Sequence, residues 1–136
     1  MIYPNKIALV IREDLLGWQK LNVAAFLASA IAIALPETHG KPFMNKSGEY
    51  LPFIKNPMLI YAAPTPEAIK RAFSRAKERE LRLAMYTKPL FATKGEEENL
   101  LEITKYTDEE QDLVGIAMYG ENKKVDKALD GLKFHS

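Results

Sequence analysis

The sequence predicts an α/β domain of three layers, with helices on both faces of a mixed sheet of about four strands. Short runs of Ile, Val, Leu and Ala alternate with segments that carry helix signals, the order expected of a layered α/β fold. Residues 23–35, VAAFLASAIAIAL, are apolar at every position except Ser29. A helix with no polar side is one packed on nearly all its faces. At 136 residues the chain has the length of a single domain, spanning residues 1–136. That is enough to bury about two-thirds of its unfolded surface without a disulfide or a metal.

The elements follow in order. Residues 6–12, KIALVIR, lie between Pro4-Asn5 and Glu13-Asp14 and read as a central strand buried on both sides. Asp14 is placed to cap the next helix, which Pro36 ends. With the run 23–35 at its centre, that helix is expected to be nearly inaccessible, so that an arginine at Ala28 would unfold the protein. Residues 37–57 hold Gly40, Pro42, Ser47-Gly48, Pro52 and Pro57 and read as loop, with a short hairpin turning at Ser47-Gly48. Met58–Ala63 is a second strand. Thr65-Pro66-Glu67 supplies an N-cap, a first-turn proline and a first-turn acid, starting a helix to about Glu80 with Ala68, Ile69, Ala72, Phe73 and Ala76 on one face. Lys70, Arg71, Arg75, Lys77, Arg79 and Arg82 lie opposite, read as a solvated face. Leu83–Tyr86 is a third strand. Glu96–Tyr106 is an acidic helix expected to pack on Leu100, Leu101 and Ile103. Leu113–Tyr119 is the fourth strand, and a last helix follows Asn122, with Gly131 at its C-cap.

Composition narrows the function classes. There are 19 basic and 18 acidic side chains, a net charge of +1, where nucleic-acid binders carry a strong basic excess. Cysteine is absent and the only histidines are His39 and His135, which removes thiolate and His-rich metal sites. The glycines are isolated and no phosphate loop or nucleophile elbow is present, so neither a cofactor nor a metal is expected. The N-terminal MIYPNK lacks the order of a signal peptide. The apolar run is shorter than the roughly 20 residues of a membrane span. A cytoplasmic, soluble protein with no membrane partner is expected.

Residues 6–30, KIALVIREDLLGWQKLNVAAFLASA, resemble the first strand and helix of the archaeal and eukaryotic type of peptidyl-tRNA hydrolase, the second family. Residues 56–78, NPMLIYAAPTPEAIKRAFSRAKE, resemble its second strand and helix, and VDKALDGLKF resembles its C-terminal ending. Over its whole length the chain is still more similar to the domain-of-unknown-function family numbered 2000, through WQKLNVAAFLASA, PETHG, YLPFIKNP, LFAT and DLVGIAMYG. The resemblance implies a peptidyl-tRNA hydrolase II-like fold. It also implies a lost active site: Asn22 falls at the hydrolase's lysine, Phe26 at its glutamine, Ser29 at its histidine and Lys88 at its aspartate. Lys20 matches an earlier lysine of that motif.

Gln19, Lys20 and Asn22 from the first helix, with Thr87 and Lys88 from the end of the third strand, are expected to converge at a strand-end crevice. Two lysines and a hydroxyl there would suit a small anion, a phosphate or carboxylate. The first expectation is therefore a binding or regulatory protein holding such a ligand or a partner. The alternative is a hydrolase of an acyl ester or amide, peptidyl-tRNA or aminoacyl-tRNA-like, with Lys20, Glu37 or His39 as acid–base groups. Transfer RNA is a partner that the charge does not favour. Trp18 and Phe26 could stack on a base, though packing is their ordinary role. A homodimer is expected from the apolar side chains of Phe43, Met44, Leu51, Phe53, Leu90 and Phe91, which mark an interface where contiguous.

Overall fold

A computed structural model describes residues 3–136. The elements are β1 (Asn5–Arg12), α1 (Gly17–Ala34), β2 (Phe43–Asn45), β3 (Gly48–Tyr50), β4 (Met58–Ala63), α2 (Pro66–Glu78), β5 (Arg82–Thr87), α3 (Glu96–Thr104), β6 (Leu113–Glu121), α4 (Asn122–Ala128) and β7 (Lys133–Phe134). Single 3₁₀ turns lie at Pro36–Thr38, Lys88–Ala92 and Asp108–Glu110. The main sheet has five strands in the order β5-β6-β1-β4-β7, and β2 and β3 form a separate hairpin. β1 pairs parallel with β4 and antiparallel with β6, so the sheet is mixed.

The expected four strands become five because β7, only two residues long, adds to the edge of β4. It pairs Phe134 with Tyr61 and Lys133 with Ala62, and the rings of Tyr61 and Phe134 stack at 4.8 Å. Two residues carry no periodicity, so only the pairing reveals the strand.

Strand alternation divides the core into two. Ile7, Leu9 and Ile11 of β1 meet Val23, Leu27, Ile31 and Leu35 from the segment of α1. Ala8 and Val10, on the other face, meet Ala68, Ile69, Ala72, Phe73 and Ala76 of α2, with Val125 and Ala128 of α4. Helices therefore cover both faces of the sheet. Thr65 caps α2 as expected, its hydroxyl accepting from the Ala68 N–H at 3.1 Å.

The first helix departs from expectation. Only Val23, Leu27 and Ile31 of α1 are buried; Leu21 is 74% exposed, Phe26 57% and Ile33 81%. The run 23–35 is thus a surface helix with one face on the sheet and an apolar face bare. Ala28 is half-buried, so enclosure gives no reason for an arginine there to unfold the chain. Ser29 is likewise exposed, and its hydroxyl donates to the Phe26 carbonyl at 2.7 Å. Asp14 does not cap α1. The helix starts two residues after Leu15, and the side chain of Gln19 accepts from the Leu16 N–H at 2.9 Å. In α3, Leu100 and Leu101 are exposed rather than packed.

Gly115 of β6 sets how closely α1 approaches. A Cβ at this position would lie 2.4 Å from Val23 Cγ1 and 3.1 Å from Leu27 Cδ1, so the missing side chain is the space into which the helix packs. Gly115→Ala should therefore cost about 1–3 kcal/mol by overpacking, read as a lowered urea midpoint. An unchanged midpoint would mean that α1 shifts freely on the sheet.

The end of α2 carries a different strain. Leu81 N–H donates to Ala76 O and Glu80 N–H to Lys77 O, a Schellman ending in which Glu80 takes φ +57°. Glycine occupies that conformation without the Cβ clash. Glu80→Gly should raise stability by about 0.5–1 kcal/mol in equilibrium unfolding, because glycine takes this left-handed helix-end conformation without strain.

Candidate functional site

A cleft of about 310 Å³ opens between the first turns of α1 and the segment that follows β5. Trp18 and Phe26 reach it from the exposed face of α1, Tyr86 from β5, and Phe91 from the 3₁₀ turn. The rings are in contact: Trp18 meets Phe91 edge-on at 5.9 Å, Tyr86 meets Phe91 at 5.2 Å and Phe26 meets Tyr86 at 6.1 Å. Such tilted and edge contacts are favoured by the ring quadrupoles. Burial holds the Tyr86 phenol above its ordinary pKa, so at neutral pH it is a neutral hydrogen-bonding group and no base.

The polar lining is uncharged. Asn22 comes from α1, one turn from both Trp18 and Phe26. Thr93 and Asn99 come from opposite sides of Gly95. The Thr93 hydroxyl donates to Leu90 O at 2.9 Å and also contacts the Asn99 side-chain amide. The first turn of α3 carries Glu96, Glu97 and Glu98, and the Glu98 carboxylate takes the Lys94 N–H at 2.6 Å. These carboxylates occupy the anion-favouring end of the helix.

The residues singled out in the sequence are distributed over several places. Asn22 lines the aromatic cleft, and so do Trp18 and Phe26. Lys20 projects from another side of α1 into a shallow, mostly apolar depression of about 460 Å³ with Leu21, Ile60 and His135. Gln19 is spent on the helix cap. Thr87 is buried, at 1% exposure. Lys88 gives its backbone N–H to Asp112 O at 2.9 Å, and its charge acts on Asp14. Glu37 is exposed in the turn after α1. The His39 ring nitrogen Nε2 lies 2.6 Å from Ala32 O in the last turn of the helix, a capping contact in which Nε2–H donates. Tyr86, Thr93 and Asn99 carry no sequence signal for this site, and Leu90 and Phe91, expected at a dimer interface, instead line the cleft. The stretch LFAT was noted only as a family likeness; beyond it, nothing local marks these residues as neighbours of α1.

Two charged constellations lie outside the cleft lining. Arg12, at the end of β1 and 8% exposed, clasps Asp14 through both carboxylate oxygens at 3.0 and 2.6 Å. It also donates to Asp112 at 2.9 Å and to Leu113 O at 3.3 Å. This ties the turn before α1 to the start of β6. On the other face of the sheet, a groove of about 480 Å³ beside α2 holds Lys70 and Lys77. Lys70 donates to Glu109 O at 2.9 Å and Lys77 pairs with Asp108, so these cations are already engaged. Among the described residues, no group of three or more His, Asp or Glu side chains could hold a metal ion. No helix there is long and apolar enough to cross a membrane.

The Arg12 contact has a pH signature. Its hydrogen bond, helped by its charge, holds the Asp14 carboxyl below the ordinary value of 3.8. A carboxylate depressed in the folded state adds stability above its unfolded pKa, and that stability is lost as pH falls through the folded pKa. The Asp14 side chain is 59% exposed, so solvent screening keeps the effect to about 1 kcal/mol or less. Asp14→Asn should lower the urea midpoint at pH 7, and the gap to the native chain should close below about pH 4. A gap that persisted at the lowest pH would assign the loss to something other than the charge.

The family described as "Protein of unknown function (DUF2000)" matches residues 5–136. Among solved structures, the chain is similar to the protein of unknown function Atu0240 from Agrobacterium tumefaciens strain C58. The two share 33% identity and a TM-score of 0.94, over 99% of this chain and 100% of that one. No protein with a curated description matches.

Proposed function

The chain belongs to the DUF2000 family, and we propose that it is a binding protein whose aromatic cleft takes a small, planar, uncharged molecule. The single observation that carries this is the lining: four aromatic side chains, three neutral hydrogen-bonding side chains and no charged one. Flat rings bind flat ligands by stacking and edge contact. The Asn22 and Asn99 amides and the Thr93 and Tyr86 hydroxyls suit a ligand edge that alternates donors and acceptors, as heteroaromatic rings and carboxamides do. The volume stands at the small end of the range of about 300–1,000 Å³ for ligand sites, which favours one ring system over an extended substrate. Without a lining lysine, the anion expected from the sequence has no counter-charge in the cleft.

The scaffold is proposed to be peptidyl-tRNA hydrolase II-like, with the reacting groups replaced. Asn22 and Phe26, which the resemblance aligns with that family's lysine and glutamine, both line the cleft. An asparagine and a phenylalanine supply a binding surface but no proton transfer at neutral pH. The cleft is thus proposed as the retained substrate face of a fold that has given up its chemistry.

Thermal unfolding in the presence of neutral heteroaromatics and carboxamides (adenosine, uridine, nicotinamide, indole) should show at least one that raises Tm. Saturation at one hundred times Kd corresponds to about 2.7 kcal/mol. Phe91→Ala and Asn99→Ala should each abolish the shift. Stabilisation by phosphate or acetate that Lys20→Ala removes would instead support the anion site. Peptidyl-tRNA hydrolysis measured beside an authentic hydrolase should be severely impaired, since one positioned donor alone is commonly worth about 10²–10³ in rate. Comparable turnover, lost in Lys20→Ala, would establish the enzyme and overturn the binding role.

A further inference from the structure

We propose that two copies of this chain pair by exchanging an arm, residues 41–53 of each lying across the bare apolar face of the other's α1. The arm is the β2–β3 hairpin. Its base is fixed by the Gly40 N–H to Phe53 O bond at 2.9 Å, the Lys55 N–H to Thr38 O bond at 2.8 Å and the antiparallel bridge of His39 with Ile54. At its tip, the Asn45 side chain accepts from Ser47 and Gly48 N–H. The arm is therefore a defined structure, yet it packs chiefly on itself: every residue of β2 and β3 except Gly48 is exposed. A lone two-stranded hairpin is marginal in water and needs something to pack on.

Its side chains are of the kind that interfaces bury. Phe43 is 50% exposed, Met44 74%, Tyr50 58%, Leu51 85% and Phe53 73%. The other bare surface is α1, where Leu21, Ala25, Ser29 and Ile33 recur at spacings of four along the side turned from the sheet. No charged residue occurs between Leu21 and Leu35. Neither surface is covered by the other within one molecule, since residues of both remain exposed. A two-fold operation places each against its complement and uses the same contact twice.

Area and charge both select a second copy. An aromatic side chain offers roughly 150–250 Å² and half or more of each remains accessible here. Two arms and two helix faces therefore bring together on the order of 1,500 Å², the size of a stable specific interface at about 1,200–2,000 Å². Soluble monomers rarely leave patches of more than a few hundred Å² uncovered. The arm contains Lys41, Lys46 and Glu49 and the helix face no charge, so nothing in it favours a strongly acidic or basic partner.

Light scattering after size exclusion should give a dimer mass at high micromolar concentration. Leu51→Glu on the arm and Ile33→Glu on the helix, both at exposed positions, should each give a monomer with unchanged far-ultraviolet circular dichroism. The chain lacks cysteine, so single-cysteine variants report contacts cleanly. A mixture of Ile33→Cys and Leu51→Cys proteins treated with a short bismaleimide should yield the mixed cross-linked pair. A native chain that is monomeric at that concentration, leaving these faces to another partner, would overturn the proposal. So would a dimer that survives both glutamates, or cross-links only between like variants.

Discussion

The close seat of α1 on the sheet is the contact on which the rest of the molecule depends. Val23 and Leu27 enter the space that Gly115 leaves by having no side chain, one of them where a Cβ would be 2.4 Å away. That contact sets the rotation of the helix about its own axis as well as its height. With Val23, Leu27 and Ile31 turned to the sheet, Trp18, Asn22 and Phe26 necessarily point sideways toward the segment after β5. Lys20 is carried to a different side. The cleft and its composition are consequences of one rotational choice, made in the interior and read out at the surface.

The same choice explains why so apolar a helix stays exposed. A sheet covers one side of a helix, and among the described residues no further layer covers the other. Burial of Val23, Leu27, Ile31 and Leu35 against Ile7, Leu9 and Ile11 supplies the hydrophobic stabilisation of the α1 layer. Leu21, Ala25 and Ile33 contribute nothing to it in one copy. Apolar residues scattered singly on a surface need no explanation, but a continuous face does. The arm and the helix are then two parts of one unmet demand.

Electrostatics in this protein act at the rim and not in the cleft. Arg12 is nearly buried and fully engaged by Asp14, Asp112 and Leu113 O, so it organises the strand end and the turn before α1. The charge of Lys88 acts on Asp14 and so joins the same framework. An ionic crossing of this kind serves position: it holds β1, the turn and β6 in register beside the cleft. The chemistry left to the cleft itself is stacking and neutral hydrogen bonding.

Much of the fold was legible in the residues. Thr65-Pro66-Glu67 determined the start of α2 and KIALVIR and MLIYAA two core strands, because each of these signals is local and concerns a few adjacent backbone groups. The hairpin was legible too, but it turns at Lys46-Ser47, with Gly48 already paired to Asn45 in β3. Membership of the family could also be read from the sequence. What only the tertiary structure decided depends on contacts between distant segments. The uniform run 23–35 has no polar side, so its pattern cannot say which face is buried, and the answer came from Gly115, ninety-two positions after Val23. The strand Lys133–Phe134 exists only by pairing with β4. Tyr86, Phe91, Thr93 and Asn99 become a site only when α1 lies beside them. Local physics named the elements of this protein; the packing of one helix on one glycine chose which of its side chains line the aromatic cleft.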